Sequence, residues 1–165
     1  MLSIVQPADG RKSSSNCGPG KISHTRLEGT NMSYRGNVLI VEDDVSTREL
    51  TAALVEALGY SVMTAESAND ALRCLYSEEA CDVLLSDIRM PDMSGLDLIG
   101  RAQDARPGLP VVLISGDVDG IAEAMHSGRL ALTKPVRRER LSSVLFHVLH
   151  HDSSKPFWQS NDGTK

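Results

Sequence analysis

The chain has 165 residues, 41% of them hydrophobic and 24% charged, which suits one globular domain of about 100–150 residues with some chain left over. A formal net charge of -5 argues against binding to nucleic acid or to a membrane surface, because both need a surplus of Lys and Arg facing a polyanion. The three cysteines, Cys17, Cys74 and Cys81, have neither C-x-x-C nor Cys/His ligand spacing, and no apolar run reaches the ~20 residues of a membrane span, so a soluble, cytoplasmic protein with free thiols is expected.

From Met1 to about Gly36 the chain is rich in Ser, Gly and Asn without helical or strand periodicity, and is expected to be a disordered extension, residues 1–36. Met32, just ahead of the first ordered element, is a candidate start of translation. Residues 37–150 form the expected domain, and residues 151–165 a polar tail.

Within the domain, short apolar runs alternate with segments of helical period. VLIV at Val38–Val41 predicts the first strand, YSVMTA at Tyr60–Ala65 the second, DVLL at Asp82–Leu85 the third, PVVLI at Pro110–Ile114 the fourth and LALT at Leu130–Thr133 the fifth. Leu50, Ala53, Leu54, Ala57 and Leu58 predict the buried stripe of the first helix, and Leu141, Val144, Leu145, Val148 and Leu149 that of the last. Strands apolar along their whole length belong in a parallel sheet with helices on both faces. The expected fold is therefore α/β, doubly wound, with five helices and the flavodoxin-like strand order 2-1-3-4-5. Its crevice opens beyond the carboxyl ends of strands 1 and 3.

The strand ends carry the polar residues. Glu42-Asp43-Asp44 follows strand 1, Ser86-Asp87 strand 3, Ser115-Gly116 strand 4 and Thr133-Lys134-Pro135 strand 5. Singly, each has a simpler reading: Asp44 as a helix cap, Ser115 as a turn residue, Lys134 as an exposed lysine. Together they need compensation, since two carboxylates 4 Å apart repel by about 4 kcal/mol at an effective dielectric near 20. Hard oxygen ligands on a rigid mouth suit Mg²⁺, which leaves Asp87 ionised and able to attack phosphorus. Lys134 and Ser115 can then face the other oxygens of the phosphoryl group, and no P-loop is present.

VLIVEDD at Val38–Asp44, LLSDIRMPDMSGLDLI at Leu84–Ile99, PVVLISGD at Pro110–Asp117 and LTKPV at Leu132–Val136 resemble, in order, the motifs of the response-regulator receiver family. The likeness covers about Asn37 to His150 and is similar in its fifth strand to receivers of hybrid histidine kinases. The resemblance implies that Asp87 is the phospho-acceptor, that Asp43 ligates the metal directly and Glu42 through water, and that Arg89 adds its backbone carbonyl. It further implies that Ser115 is the hydroxyl that meets the phosphate, Lys134 the lysine that pairs with it through a cis Lys134–Pro135 peptide, and Gly95 the residue closing the loop after strand 3.

Three departures stand out. Ala131 occupies the place where many receivers have a switch aromatic, which leaves signalling to the loop and helix 4. Helix 4 should be brief, over Val118–His126. Arg89 and Asp117 should pair across the path of attacking water and slow the loss of phosphate.

Only 31 residues follow Lys134, so a receiver without an output domain is expected, acting through an unknown downstream protein target after phosphorylation by a histidine kinase or histidine phosphotransfer protein. Homodimerisation through helix 4, strand 5 and helix 5 stays open. The chain is expected to catalyse only its own phosphorylation and dephosphorylation. The alternatives are a Mg²⁺-dependent aspartyl-nucleophile phosphatase, which normally wants a second Asp where Arg89 stands, and a phosphate-independent adaptor. His147, His150 and His151 read as partners of a helix C-terminus. Phe157-Trp158 in the tail reads either as a docking anchor or as a segment folding back on the domain.

Overall fold

Apolar runs flanked by helical segments become strands here because only a sheet covered on both faces can bury them. The computed structural model describes residues 35–150, so the expectations for residues 1–34 and 151–165, including the alternative start, His151 and Phe157-Trp158, lie outside the described residues. Its elements in order are β1 (Asn37–Val41), α1 (Val45–Ala57), β2 (Ser61–Ala65), α2 (Ala68–Tyr76), β3 (Val83–Asp87), α3 (Gly95–Ala105), β4 (Val111–Ser115), α4 (Val118–His126), β5 (Leu130–Thr133) and α5 (Arg138–His150). The strands form one parallel sheet in the order β2-β1-β3-β4-β5, the expected doubly wound topology.

The pleat divides the core. Val38, Ile40, Val83, Leu85 and Val112 pack on one face with Val55 of α1 and Leu141 and Leu145 of α5. Leu39, Val41 and Leu84 point the other way, to Ala71 and Leu75 of α2 and Leu98 and Ala102 of α3. A smaller cluster of Ile88, Ile99, Leu113 and Ala124 seats α4. All five residues of β3 are buried, and its two neighbours place the ends of β1 and β4 beside Asp87.

One expected stripe is corrected. Leu141, Val144 and Leu145 of α5 are buried as expected, whereas in α1 Leu50 is 62% exposed and Ala53 and Ala57 face solvent. Helix α1 instead buries Thr51 and Val55, with Ala52, Leu54 and Leu58 packed alongside. Apolar residues surround most of this helix, so their spacing admits more than one inward face. Its first turn decides: Asp44 caps Thr47 N at 2.8 Å, and Arg48 Nη1 donates to Glu42 O at 2.6 Å and to Asp43 O at 3.3 Å. Anchoring Arg48 over the end of β1 turns Thr51, Val55 and Leu58, three, seven and ten residues on, toward the sheet. The helix stops at Gly59, whose φ of 89° lies in the left-handed region and whose N–H donates to Glu56 O. No helix among the described residues is long and apolar enough to cross a membrane.

Candidate functional site

All strand-end residues singled out in the sequence lie on the carboxyl edge of the sheet. Glu42 and Asp43 leave β1, Asp87 ends β3, Ser115 ends β4, and Lys134 follows β5. Glu42, Asp87 and Ser115 are buried, while Asp43 is exposed at the mouth. One carboxylate oxygen from each of Glu42, Asp43 and Asp87 lies within 4.8 Å of the others. Lys134 Nζ donates to Glu42 Oε2 at 2.6 Å and to Asp87 Oδ2 at 2.7 Å, while its own backbone N–H holds Ser115 O at 2.8 Å. The peptide Lys134–Pro135 is cis.

Electrostatics make this a site with a surplus of negative charge. Burial raises the Glu42 carboxyl above the ordinary carboxylate range, outweighing the lowering effect of its bond to Lys134. Burial also pulls the Lys134 ammonium down, but hydrogen bonds to Asp87 and Glu42 more than offset it and hold it above its usual range. The two shifts favour different proton positions, and the short contacts from one nitrogen to two carboxylates decide for a charged ammonium. That ammonium bonds two of the three clustered carboxylates and leaves their negative charge in surplus. A hard divalent ion fits that imbalance and that donor set, as Mg²⁺ does.

The frame around Asp87 is tight. Arg89 N donates to Asp87 Oδ1 at 3.2 Å, and Ser86 Oγ donates to Asp87 O at 2.9 Å. Gly95 N closes the loop onto Ile88 O at 2.9 Å, and a Cβ on Gly95 would lie 2.2 Å from Asp87 O, so only glycine fits. Ser94 caps α3 through Leu96 N, and Asp92 in the same loop accepts from Ala68 N at 3.3 Å and Asn69 N at 3.0 Å, tying the loop to the start of α2.

On the opposite lip, Ser115 Oγ accepts from Asp117 N at 3.1 Å, which aims the hydroxyl inside the turn before α4. Asp117 caps α4 through Gly120 N at 3.0 Å and pairs with Arg89 Nη2 at 2.5 Å, as the two positions suggested in sequence. Arg89's guanidinium, followed by the Gly120 N–H, holds the Asp117 carboxyl below its ordinary range.

Sequence reasoning missed two positioning residues. Arg48 reaches backbone carbonyls of the acidic turn, and Asp92 reaches a helix 23 residues away. Hydrogen bonds to backbone leave no trace in residue pairing, and only the N-cap pattern around Asp44 hinted at the first.

Known proteins place the chain in a family and share its fold. The family model of the response regulator receiver domain matches residues 38–146. The chain is 33% identical over 126 residues to the transcriptional regulatory protein GlrR of Escherichia coli (strain K12), covering 74% of this chain and 28% of that protein. It thus spans about a quarter of the length of that relative. Its fold is similar to the response regulator receiver domain protein of Clostridium thermocellum, with a TM-score of 0.63 at 28% identity over 69% of this chain and 94% of that one. It is likewise similar to the receiver domain of the hybrid histidine kinase CckA, with a TM-score of 0.59 at 30% identity over 69% of this chain and 99% of that one.

Proposed function

This chain belongs to the response regulator receiver family of two-component signalling, and from that membership we propose that Asp87 accepts a phosphoryl group from a histidine kinase or histidine phosphotransfer protein in a Mg²⁺-dependent reaction. The observation that carries this reading is the clustering of the Glu42, Asp43 and Asp87 carboxylates at the end of β3, with the Lys134 ammonium bonded to Glu42 and Asp87.

In the proposed reaction an Asp87 carboxylate oxygen forms the new O–P bond while the P–N bond of the donor phosphohistidine breaks, its electron pair leaving with the imidazole nitrogen. Burial of Asp87 at the end of β3 and the bond from Arg89 N fix the attacking carboxylate. Lys134 moves its hydrogen bond from the carboxylate to a phosphoryl oxygen, and the Ser115 hydroxyl, one strand away, turns to a second. Glu42, Asp43 and Asp87, with the backbone carbonyl of Arg89, are the groups that would hold Mg²⁺, whose chemistry here is to offset charge on the phosphoryl oxygens. Val45 and Leu50 on α1 expose apolar surface on which the donor protein can dock.

Phosphorylation adds about -1.5 to -2 charges at Asp87. The loops after β3 and β4 feel that charge first, and through them the face made by α4, β5 and α5, which meets a protein target or a second copy in the cytoplasm. The chain performs chemistry only on itself.

Acetyl phosphate with Mg²⁺ tests the reading. Intact mass should rise by one phosphate that hydroxylamine removes, the gain should vanish in EDTA and in Asp87→Asn, and common phosphomonoesters should not turn over. Labelling that survives Asp87→Asn, or repeated turnover, would overturn it.

A further inference from the structure

A groove between α4, β5 and α5 takes no part in the phosphoryl chemistry. It encloses about 490 Å³ and is lined by Ala131 of β5, Ile121 and Met125 on the α4 side, and Arg137, Arg140 and Val144 on the α5 side. β5 is the edge strand of the sheet, and Ala131 gives this part of it only a methyl group, so the space above stays open. Met125 is 66% exposed beside it. Apolar side chains lying beside two guanidinium groups are complementary to an aromatic ring, which packs a face on the former and stacks on Arg.

We infer that this groove seats Phe157-Trp158 of the chain's own tail. Residues 151–165 continue directly from α5, one wall of the groove, and their apolar content is concentrated in these adjacent aromatics, including the sole Trp of a chain that is 4% aromatic. Reach is sufficient. Val144 lies about 9 Å back along the axis from His150, at about 1.5 Å per residue, whereas extended chain from His150 to Phe157 spans about 23 Å at about 3.3 Å per residue. A tethered segment meets its site at effectively millimolar concentration, so it occupies the groove in preference to a free partner of equal intrinsic affinity. The seated tail covers the surface that a target or second copy would use, three residues along the strand from Lys134.

Because Trp158 is the only tryptophan, its emission in the full-length chain reads the seating directly. The expected result is a blue-shifted spectrum, several-fold weaker quenching by acrylamide than for a free indole, and no dependence on protein concentration. Ala131→Phe, which extends into the groove, and Ser143→Arg, at an exposed position on the groove's rim, should each restore the spectrum and quenching of solvated indole while circular dichroism stays native. In Trp158→Ala, the Ala131 and Met125 methyl resonances should lose ring-current shifts. A solvated spectrum in the unmodified chain overturns the proposal. So does a blue shift unmoved by both groove variants, or one that appears only with rising concentration and a doubled mass, which assigns the groove to a second copy.

Discussion

The mouth around Asp87 and the face formed by α4, β5 and α5 are built from adjoining strands yet differ in how far their surroundings constrain them. At the mouth the groups are held by specific bonds: Asp87 by Arg89 N and Lys134, the acidic turn by Arg48, and the loop by Gly95 and Asp92. On the other face β5 is an edge strand of four residues, Ala131 and Leu130 are only half-buried, and a groove lies open between the helices. A group that must receive a phosphoryl oxygen needs placement within a fraction of an ångström, whereas a surface that answers a charge needs room to repack. Adding atoms should therefore be ruinous in one region and nearly free in the other.

The largest effect is expected from Asp87→Asn, which removes the nucleophile and should abolish phosphate incorporation from acetyl phosphate altogether, with unfolding by denaturant confirming an intact fold. Next comes Gly95→Ala. One methyl placed 2.2 Å from Asp87 O forces the loop away from β3, and overpacking of this kind against backbone should cost about 3 kcal/mol. Chemical denaturation would measure that loss. A cost below about 1 kcal/mol would mean that the loop yields, and that the mouth is less constrained than its hydrogen bonds imply.

How much of this was legible in the sequence follows the same division. The strand ends were readable because β3 is buried on both faces, so its apolar run stops where chemistry starts, and LLSD marks that point without structural help. The brevity of α4 was readable from the short segment between Ser115 and Lys134; in the structure Asp117 caps the helix and Gly128, with φ of 70°, follows it. The inward face of α1 was not, because the choice rests on Arg48 gripping backbone carbonyls, and a carbonyl is the same at every position of the sequence. Asp92 was hidden for a related reason: its partners are the N–H groups of another helix, which any residue supplies.

Arg89 and Asp117 join the two regions, the one following β3 and the other capping α4. Arg89→Ala keeps the backbone carbonyl but opens the path of water to the acyl phosphate, so phosphate should be lost several-fold faster in a decay assay. An unchanged rate would remove the pair from the water path. The same variant has a pH signature. Asp117 is held below its ordinary range in the folded chain, so its contribution to stability is present above the unfolded value near 3.8 and fades as pH falls through the lower folded value. Arg89→Ala should move the Asp117 titration, followed by carboxyl NMR, back up toward that unfolded value, and the Gly120 amide should lose protection at a correspondingly higher pH. Arg89 is exposed and Asp117 only partly buried, so the change in overall stability should be slight.

The smallest effect on stability belongs to Ala131→Phe. The change adds a whole ring where Gly95→Ala adds a single methyl, yet the ring enters a groove of about 490 Å³ rather than a backbone contact. Ala131 pairs with Leu113 in the sheet and is only half-buried beside the small cluster that seats α4, so the new side chain extends into the groove and displaces the seated tail rather than core neighbours. Burying its apolar surface offsets the side-chain entropy lost, and the midpoint of denaturation should stay within about 1 kcal/mol of the parent or rise. A loss as large as that of Gly95→Ala would mean that β5 is as tightly constrained as β3, and that phosphorylation must be communicated by the loops alone rather than by repacking of this face.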